Sequence, residues 1–202
     1  MRKQIIAAFV VVLFCGIFLF SCAEPEETDG APPITGPLAE LQGTWSTQCY
    51  GAGEQKTLVV SGTNLSMTTT YYTNNSCTTA KSQIKSTYSN LTIGEKLTFS
   101  DRTSAYRATY IAQSEEYTPL SASETTDFNK STVCGFTNWV EGSPKDIIGG
   151  KTTCTSDLIM KNATWFNLYN IVGTNLYLGT EDSVIHPTAV NKALSSDLYV
   201  KQ

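Results

Sequence analysis

The chain has 202 residues, 41% of them hydrophobic, with 14 Lys and Arg against 18 Asp and Glu, a single histidine and a formal net charge of −4 at pH 7. That length holds one domain with a sizeable core. The acidic balance, with no basic stripe, excludes the electrostatic footprint of a nucleic-acid binder, and one histidine leaves nothing for a His-rich metal site.

In chain order, Arg2 and Lys3 form a positive start, Ile5 to Phe20 an apolar run, and Ser21 a small residue before Cys22. This is the three-part pattern of a secretory signal. An ordinary signal peptide and an uncleaved anchor are the alternatives; the run of roughly 16 apolar residues falls just short of the about 17 to 25 that span a bilayer. Leu19-Phe20-Ser21-Cys22 resembles the signal of bacterial lipoproteins. The resemblance implies removal of residues 1–21 and lipidation of Cys22 with acyl chains such as palmitate. Ala23, in place of the Asp that commonly retains such proteins at the inner membrane, implies an outer-membrane address in the cell envelope. Each buried methylene contributes about 0.8 kcal/mol, so attachment through more than one chain is stable. Loss of Arg2 and Lys3 makes the mature chain more acidic still.

Residues 23–40, AEPEETDGAPPITGPLAE, combine Pro, Gly and acidic residues with few apolar groups. With Cys22 they read as a lipidated residue and flexible tether, 22–40, spanning roughly 23 Å as a coil or about 55 Å as polyproline II. The folded domain is expected over 41–202.

Cys49, Cys77, Cys134 and Cys154 are an even set in an exported chain, which fits disulfides. Of the three possible pairings, 49–77 and 134–154 enclose short segments that carry their own turn signals, and are preferred. A zinc site is disfavoured: no C-x-x-C pair occurs and His186 lies far from all four. No metal and no cofactor is expected.

The domain reads as strands. Thr57 to Val60 and Leu65 to Tyr71 flank Ser61-Gly62-Thr63-Asn64, and Leu65, Met67, Thr69 and Tyr71 alternate with hydroxyl residues at period two, a hairpin. Ser82 to Tyr88 is a further strand, and Leu91 and Ile93 form another hairpin with Leu97 and Phe99 around Gly94-Glu95. Thr103 to Gln113 alternates Tyr106, Ala108, Tyr110 and Ala112 against Arg107, Thr109 and Ile111. Ser121 to Asn129 breaks the alternation and reads as a short helix or loop. Cys134 to Trp139 resumes β character, Gly149-Gly150 marks a turn, and Thr164 to Val172 pairs with Leu176 to Leu178. Thr188 to Leu194 is a possible short helix before a closing strand, Leu198 to Val200. Eight or more short strands at hairpin spacing predict an all-β fold, a single antiparallel barrel with a short helix or, alternatively, a β-sandwich.

Gly43-Thr44-Trp45, just before the first strands, resembles the G-x-W signature of lipocalin-like barrels, whose Trp closes one end of the barrel. The T-D-Y turn and the final-strand Arg that packs on that Trp in the family are absent. A wider likeness is to uncharacterised bacterial lipoproteins with a GTW start, paired cysteines, a C-G-x-x-x-W stretch (Cys134, Gly135, Trp139) and a C-terminal strand after a Pro (Pro187, then Leu198-Tyr199-Val200). In a barrel the inward set includes Leu65, Met67 and the tyrosines Tyr71, Tyr88, Tyr110 and Tyr169. Those four are the candidate ligand-binding residues, although such a set also suits a solid core. The expected function is a membrane-anchored lipoprotein that binds a small amphipathic or lipid ligand. The alternative is a surface or structural lipoprotein whose Ser/Thr/Tyr face contacts a protein, glycan or the cell wall.

No enzyme is expected. His186 has no nucleophile motif to partner it and reads as exposed or capping. Glu115-Glu116 and Glu181-Asp182 read as solvated loop charges, and Asp127, Asp157 and Asp182 lack calcium-loop spacing.

Overall fold

A computed structural model describes residues 34–100, 102–149, 154, 160–180, 182, 184–190 and 198–202. The signal, Cys22 and most of the tether lie outside the described residues. Eight antiparallel strands close into a barrel: β1 (Gly43–Thr47), β2 (Glu54–Ser61), β3 (Asn64–Tyr72), β4 (Ala80–Thr98), β5 (Ser104–Pro119), β7 (Thr164–Val172), β8 (Asn175–Leu178) and β9 (Leu198–Lys201). The order runs β4-β3-β2-β1-β9-β8-β7-β5, and β4 pairs with β5 to complete the ring. A two-residue strand β6 (Lys145–Asp146) pairs with Glu116 and Tyr117 of β5, above the stretch of β5 that pairs with β7. Helices α1 (Pro37–Leu41) and α2 (Ala122–Ser131) complete the described elements, with one 3₁₀ turn at Val133–Gly135.

The barrel, not the sandwich, is thus the outcome, and the hairpins β2–β3 and β7–β8 form where alternation placed them. Gly62 and Gly173 hold φ of 62° and 63° at the two tips, the left-handed region a tight turn needs. Three expectations are corrected. Gly94-Glu95 is no turn: residues 82–98 belong to one 19-residue strand, and the chain reverses where Phe99 N donates to the Thr103 carbonyl at 2.8 Å. Asn90, at φ 55°, and Gly94 accompany register shifts between Ser89 and Thr92 and between Ile93 and Lys96. They are bulge residues, which bend and coil a long strand without ending it. Residues 134–139 are not a strand, because Cys134 and Gly135 both take positive φ, and Trp139 is held by Asn129 instead of a ladder. Residues 188–190 are not helical, and 191–194 lie outside the described residues.

Two elements went unforeseen. Gly43-Thr44-Trp45 is itself part of the first strand, pairing with β2 on one side and β9 on the other. Helix α1 falls in the stretch assigned to the tether, with Leu41 buried and Leu38 packed on the core. By contrast α2 sits where the pattern broke, and its N-cap Ser121 accepts from Glu124 N at 3.2 Å, satisfying one of the first-turn donors.

Registers fix which face is inside. Trp45 opposes Leu58, Val60 opposes Leu65, Met67 opposes Ser86, Ser86 opposes Glu115, and Tyr106 opposes Tyr169. All of these therefore share the lumen face, since side chains two apart on a strand point the same way. The main core comprises Leu41, Trp45, Leu58, Val60, Leu65, Tyr88, Leu91, Ala108, Tyr110, Ala112, Tyr169, Leu176 and Tyr199. A second cluster, Phe128, Cys134, Trp139 and Ile147, packs with Tyr117 and Phe136. Its rings meet edge to face, Tyr117 with Phe128 at 4.8 Å and Phe128 with Trp139 at 5.2 Å. Disulfides join Cys49 to Cys77 and Cys134 to Cys154, the preferred pairing; the second ties the α2 excursion to Cys154.

Candidate functional site: the barrel lumen

Helix α1 covers one end of the barrel and is bound there from three sides. Trp45 Nε1 donates to the Leu41 carbonyl at 2.9 Å, and the Tyr169 hydroxyl to the Pro37 carbonyl at 2.9 Å. Gln42 bridges to the β2–β3 hairpin: its Nε2 donates to the Leu38 and Gly62 carbonyls, and its Oε1 accepts from Gly62 N at 2.8 Å. Lys201 Nζ stands 5.0 Å from the centre of the Trp45 ring. Although the final-strand Arg of the lipocalin pattern is missing, a cation from the last strand still lies over this Trp and gains from the ring's negative face.

Beneath α1 lies a small cavity with about 30 Å³ of free space, lined by Leu41, Leu58, Val60, Leu65, Met67, Leu91, Ala108, Tyr110, Asn167, Leu168, Tyr169 and Leu178. The few polar atoms of this lining are tied to the protein. Asn167 Nδ2 donates to the Tyr110 hydroxyl at 3.3 Å, and Asn167 Oδ1 accepts from Leu168 N at 2.7 Å. Burial pushes the Tyr169 phenol far above its ordinary pKa, with Glu40 and Tyr106 adding to the shift. The surface offered to a guest is hydrocarbon and ring face.

Away from α1 the lumen changes character. Successive inward residues on β3 are Met67, Thr69 and Tyr71; opposite them on β4 stand Ser86, Ile84 and Ser82, and beyond on β5 Glu115, Tyr117 and Pro119. Lys56 and Glu54 continue the same face on β2. Glu115 is only 6% exposed, Ser86 7% and Ser82 1%. The Tyr71 phenol is pushed up by burial first and then by Glu54, Tyr117 and Glu115, which places all four in one electrostatic neighbourhood. Tyr117 is likewise raised by burial.

Of the candidate tyrosines, Tyr110 and Tyr169 line the cavity. Tyr88 stands behind Tyr110, edge-on at 4.9 Å, and Tyr71 belongs to the polar half. Glu115 corrects the expectation of solvated loop charges: it lies within β5 facing inward, while Glu116 faces the other way. His186 is half-buried; its ring meets Phe166 at 4.9 Å and its Nδ1 stands 3.2 Å from the Asn167 carbonyl. Asp182 Oδ1 accepts from Val184 N and Ile185 N, Asp127 is exposed on α2, and Glu181 and Asp157 lie outside the described residues. Sequence reasoning missed Lys56, Ser82, Ser86 and Glu115. Lys56 stands two residues from Leu58, and Ser86 and Ser82 two and six from Tyr88, which was the signal that could have placed them inside; Glu115 is three residues from Ala112, and only the register shift between Thr87 and Tyr88 turns it inward.

Among the described residues, no group of three or more His, Cys, Asp or Glu is gathered to hold a metal ion, and no helix is long and apolar enough to cross a membrane. The fold and lumen define a closed eight-stranded antiparallel barrel of lipocalin-like form, a scaffold compatible with binding a small molecule. No family model matches the sequence, and no curated protein does.

Proposed function

We propose that this chain is an envelope lipoprotein, anchored through Cys22 by a tether that ends at α1, whose barrel binds one small apolar or amphipathic molecule. The observation that carries the binding reading is the cavity under α1. Its free space is small, about 30 Å³, room for two or so waters, and its lining is predominantly apolar with a few fixed polar atoms, as ligand pockets are. A guest therefore enters only as the lining side chains move aside, which favours a slim apolar molecule over a two-chain lipid.

The test uses Ala108, which lines the cavity from β5 and is 4% exposed. Ala108→Phe fills the space from inside, at an overpacking cost of about 1–3 kcal/mol. The wild-type chain is expected to bind the naphthylamine dye N-phenyl-1-naphthylamine with a rise in fluorescence, and the folded variant to bind it at least about tenfold more weakly, the worth of 1.4 kcal/mol. A wild-type chain that leaves the dye unbound, or a folded variant that binds it equally, overturns the reading. The surface-partner alternative has one observation in its favour: Val184 and Ile185 are 77% and 60% exposed beside half-buried His186. Photo-cross-linking from position 184 on intact cells is expected to capture a reproducible partner only if that alternative holds.

A further inference from the structure

Resting on the binding reading above, we infer that α1 is a displaceable plug: its leucines occupy the space that an apolar guest takes, and the guest binds by driving the helix out of the barrel mouth. The free space beneath α1, about 30 Å³, admits two or so waters and no organic molecule. The remaining room must therefore come from the lining. Every lining residue but Leu41 belongs to a strand, in β2, β3, β4, β5, β7 or β8. Those strands are held by ladders on both sides; Leu58, for example, stands between Trp45 and Met67. Moving such a strand breaks backbone pairs along its length. Helix α1 belongs to no ladder, and withdrawing it vacates the volumes of Leu41, which is 4% exposed, and of Leu38, which packs on the same core.

The helix is fastened by side chains and flanked by glycine. Four hydrogen bonds cross from it to the barrel: Trp45 Nε1 to the Leu41 carbonyl, the Tyr169 hydroxyl to the Pro37 carbonyl, and the pair between the Gln42 amide and the backbone of Gly62. Its own first turn is thin. Ala39 N and Glu40 N share the Gly36 carbonyl, and no side chain caps the start. Five residues so held unwind once released. Towards β1 the chain passes through Gly43, at φ 113°, where Lys201 Cε is the one described atom within 4 Å of a Cβ position. At the other end Gly36, at φ 67°, has nothing of the described chain within 4 Å of that position. Both glycines have the freedom to turn that a pivot needs. A guest that binds only the unplugged barrel loses affinity in proportion to the rarity of that state, and whatever loosens the plug restores it by the same factor.

Fluorescence titration with N-phenyl-1-naphthylamine separates a plug from a fixed cap. Gln42 is not among the lining residues, so Gln42→Ala changes the fastening and leaves the apolar walls as they are. It is expected to tighten dye binding about five- to thirtyfold. Tyr169→Phe, which takes one bond from the Pro37 carbonyl and keeps the ring, is expected to tighten it about fivefold, and decides should Gln42→Ala not fold. Replacing Cys134 and Cys154 by Ser loosens the second cluster, away from α1, and is expected to leave the affinity within about a factor of two. In the wild-type chain, saturating dye is expected to speed hydrogen exchange at Ala39 and Gln42, whose amides bond inside α1. Unchanged or weaker binding by the loosened variants, equal tightening by the disulfide variant, or slower exchange at Ala39 and Gln42 with dye overturns the plug and leaves the cavity reading standing. Failure of the wild-type chain and Gln42→Ala alike to bind overturns that reading and the plug with it.

Discussion

Gly53 occupies a corner that no other residue can take. Its φ is 96°, and a Cβ there would stand 2.3 Å from the Asn74 carbonyl oxygen, a backbone atom. Tyr72 N also donates to the Gly53 carbonyl at 2.8 Å, so neither chain can withdraw without loss. Gly53→Ala is expected to destabilise the barrel by more than about 2 kcal/mol, measured as a lowered urea midpoint at unchanged slope. The raised phenols of Tyr71, Tyr117 and Tyr169 set an alkaline limit. Each keeps its proton in the folded chain at a pH where the unfolded chain has released it. The stability they contribute is therefore fully present below about pH 10 and falls as pH rises above it. Thermal melts between pH 8 and 11.5 should show the decline beginning near pH 10, and Tyr169→Phe should flatten it while costing the bond to the Pro37 carbonyl. Glu115 shows where reading by residue type stops working. Period two reveals that a strand has two faces and not which one is enclosed, so a charged residue reads as outward until the register is known.

At the scale of elements, α1 is a five-residue helix too short to persist alone, and it stays in place through Gln42, Trp45 and Tyr169. Gln42→Ala removes three of these bonds at once and is expected to cost about 1–2 kcal/mol. Hydrogen exchange should show it as faster exchange at Ala39 and Gln42, whose amides bond to Gly36 and Ala39, with strand amides of β2–β4 unchanged. Replacing Cys134 and Cys154 together by Ser opens a loop whose closure contributes about 3 kcal/mol on the chain-entropy model. The near-ultraviolet signal of Trp139, packed beside Phe136 at 5.6 Å, should weaken first, with the barrel's far-ultraviolet spectrum retained. How legible these elements were depended on length. Leu65 to Tyr71 carried enough alternation to mark β3, whereas Thr44 to Thr47 was too short to stand out as β1. Asn90 and Gly94 carry the same local chemistry in a bulge as in a turn, and only the pairing of β4 with β5 tells the two apart. Helix α1 was hidden because its Pro and Glu matched the composition of the stretch before it.

Across the whole molecule, the proposed anchor and the barrel are separable. Cys22→Ser is expected to move the protein from the membrane fraction to the soluble one with the thermal midpoint of the barrel unchanged; a variant that stays with the membrane would remove Cys22 from its assigned role. The barrel itself has a seam between β1 and β9, where Trp45 opposes Lys201 and Gln202 N donates to the Thr44 carbonyl at 3.0 Å. Pairing residues this far apart in sequence is slow, because loop closure must precede any gain from the contact. While the polypeptide is being made, β1 emerges early and must wait for residues 198–201 before its second neighbour exists. Until then two strand edges stay open and the ring cannot shut. The nascent chain is thus held short of its final shape by the order of its own synthesis.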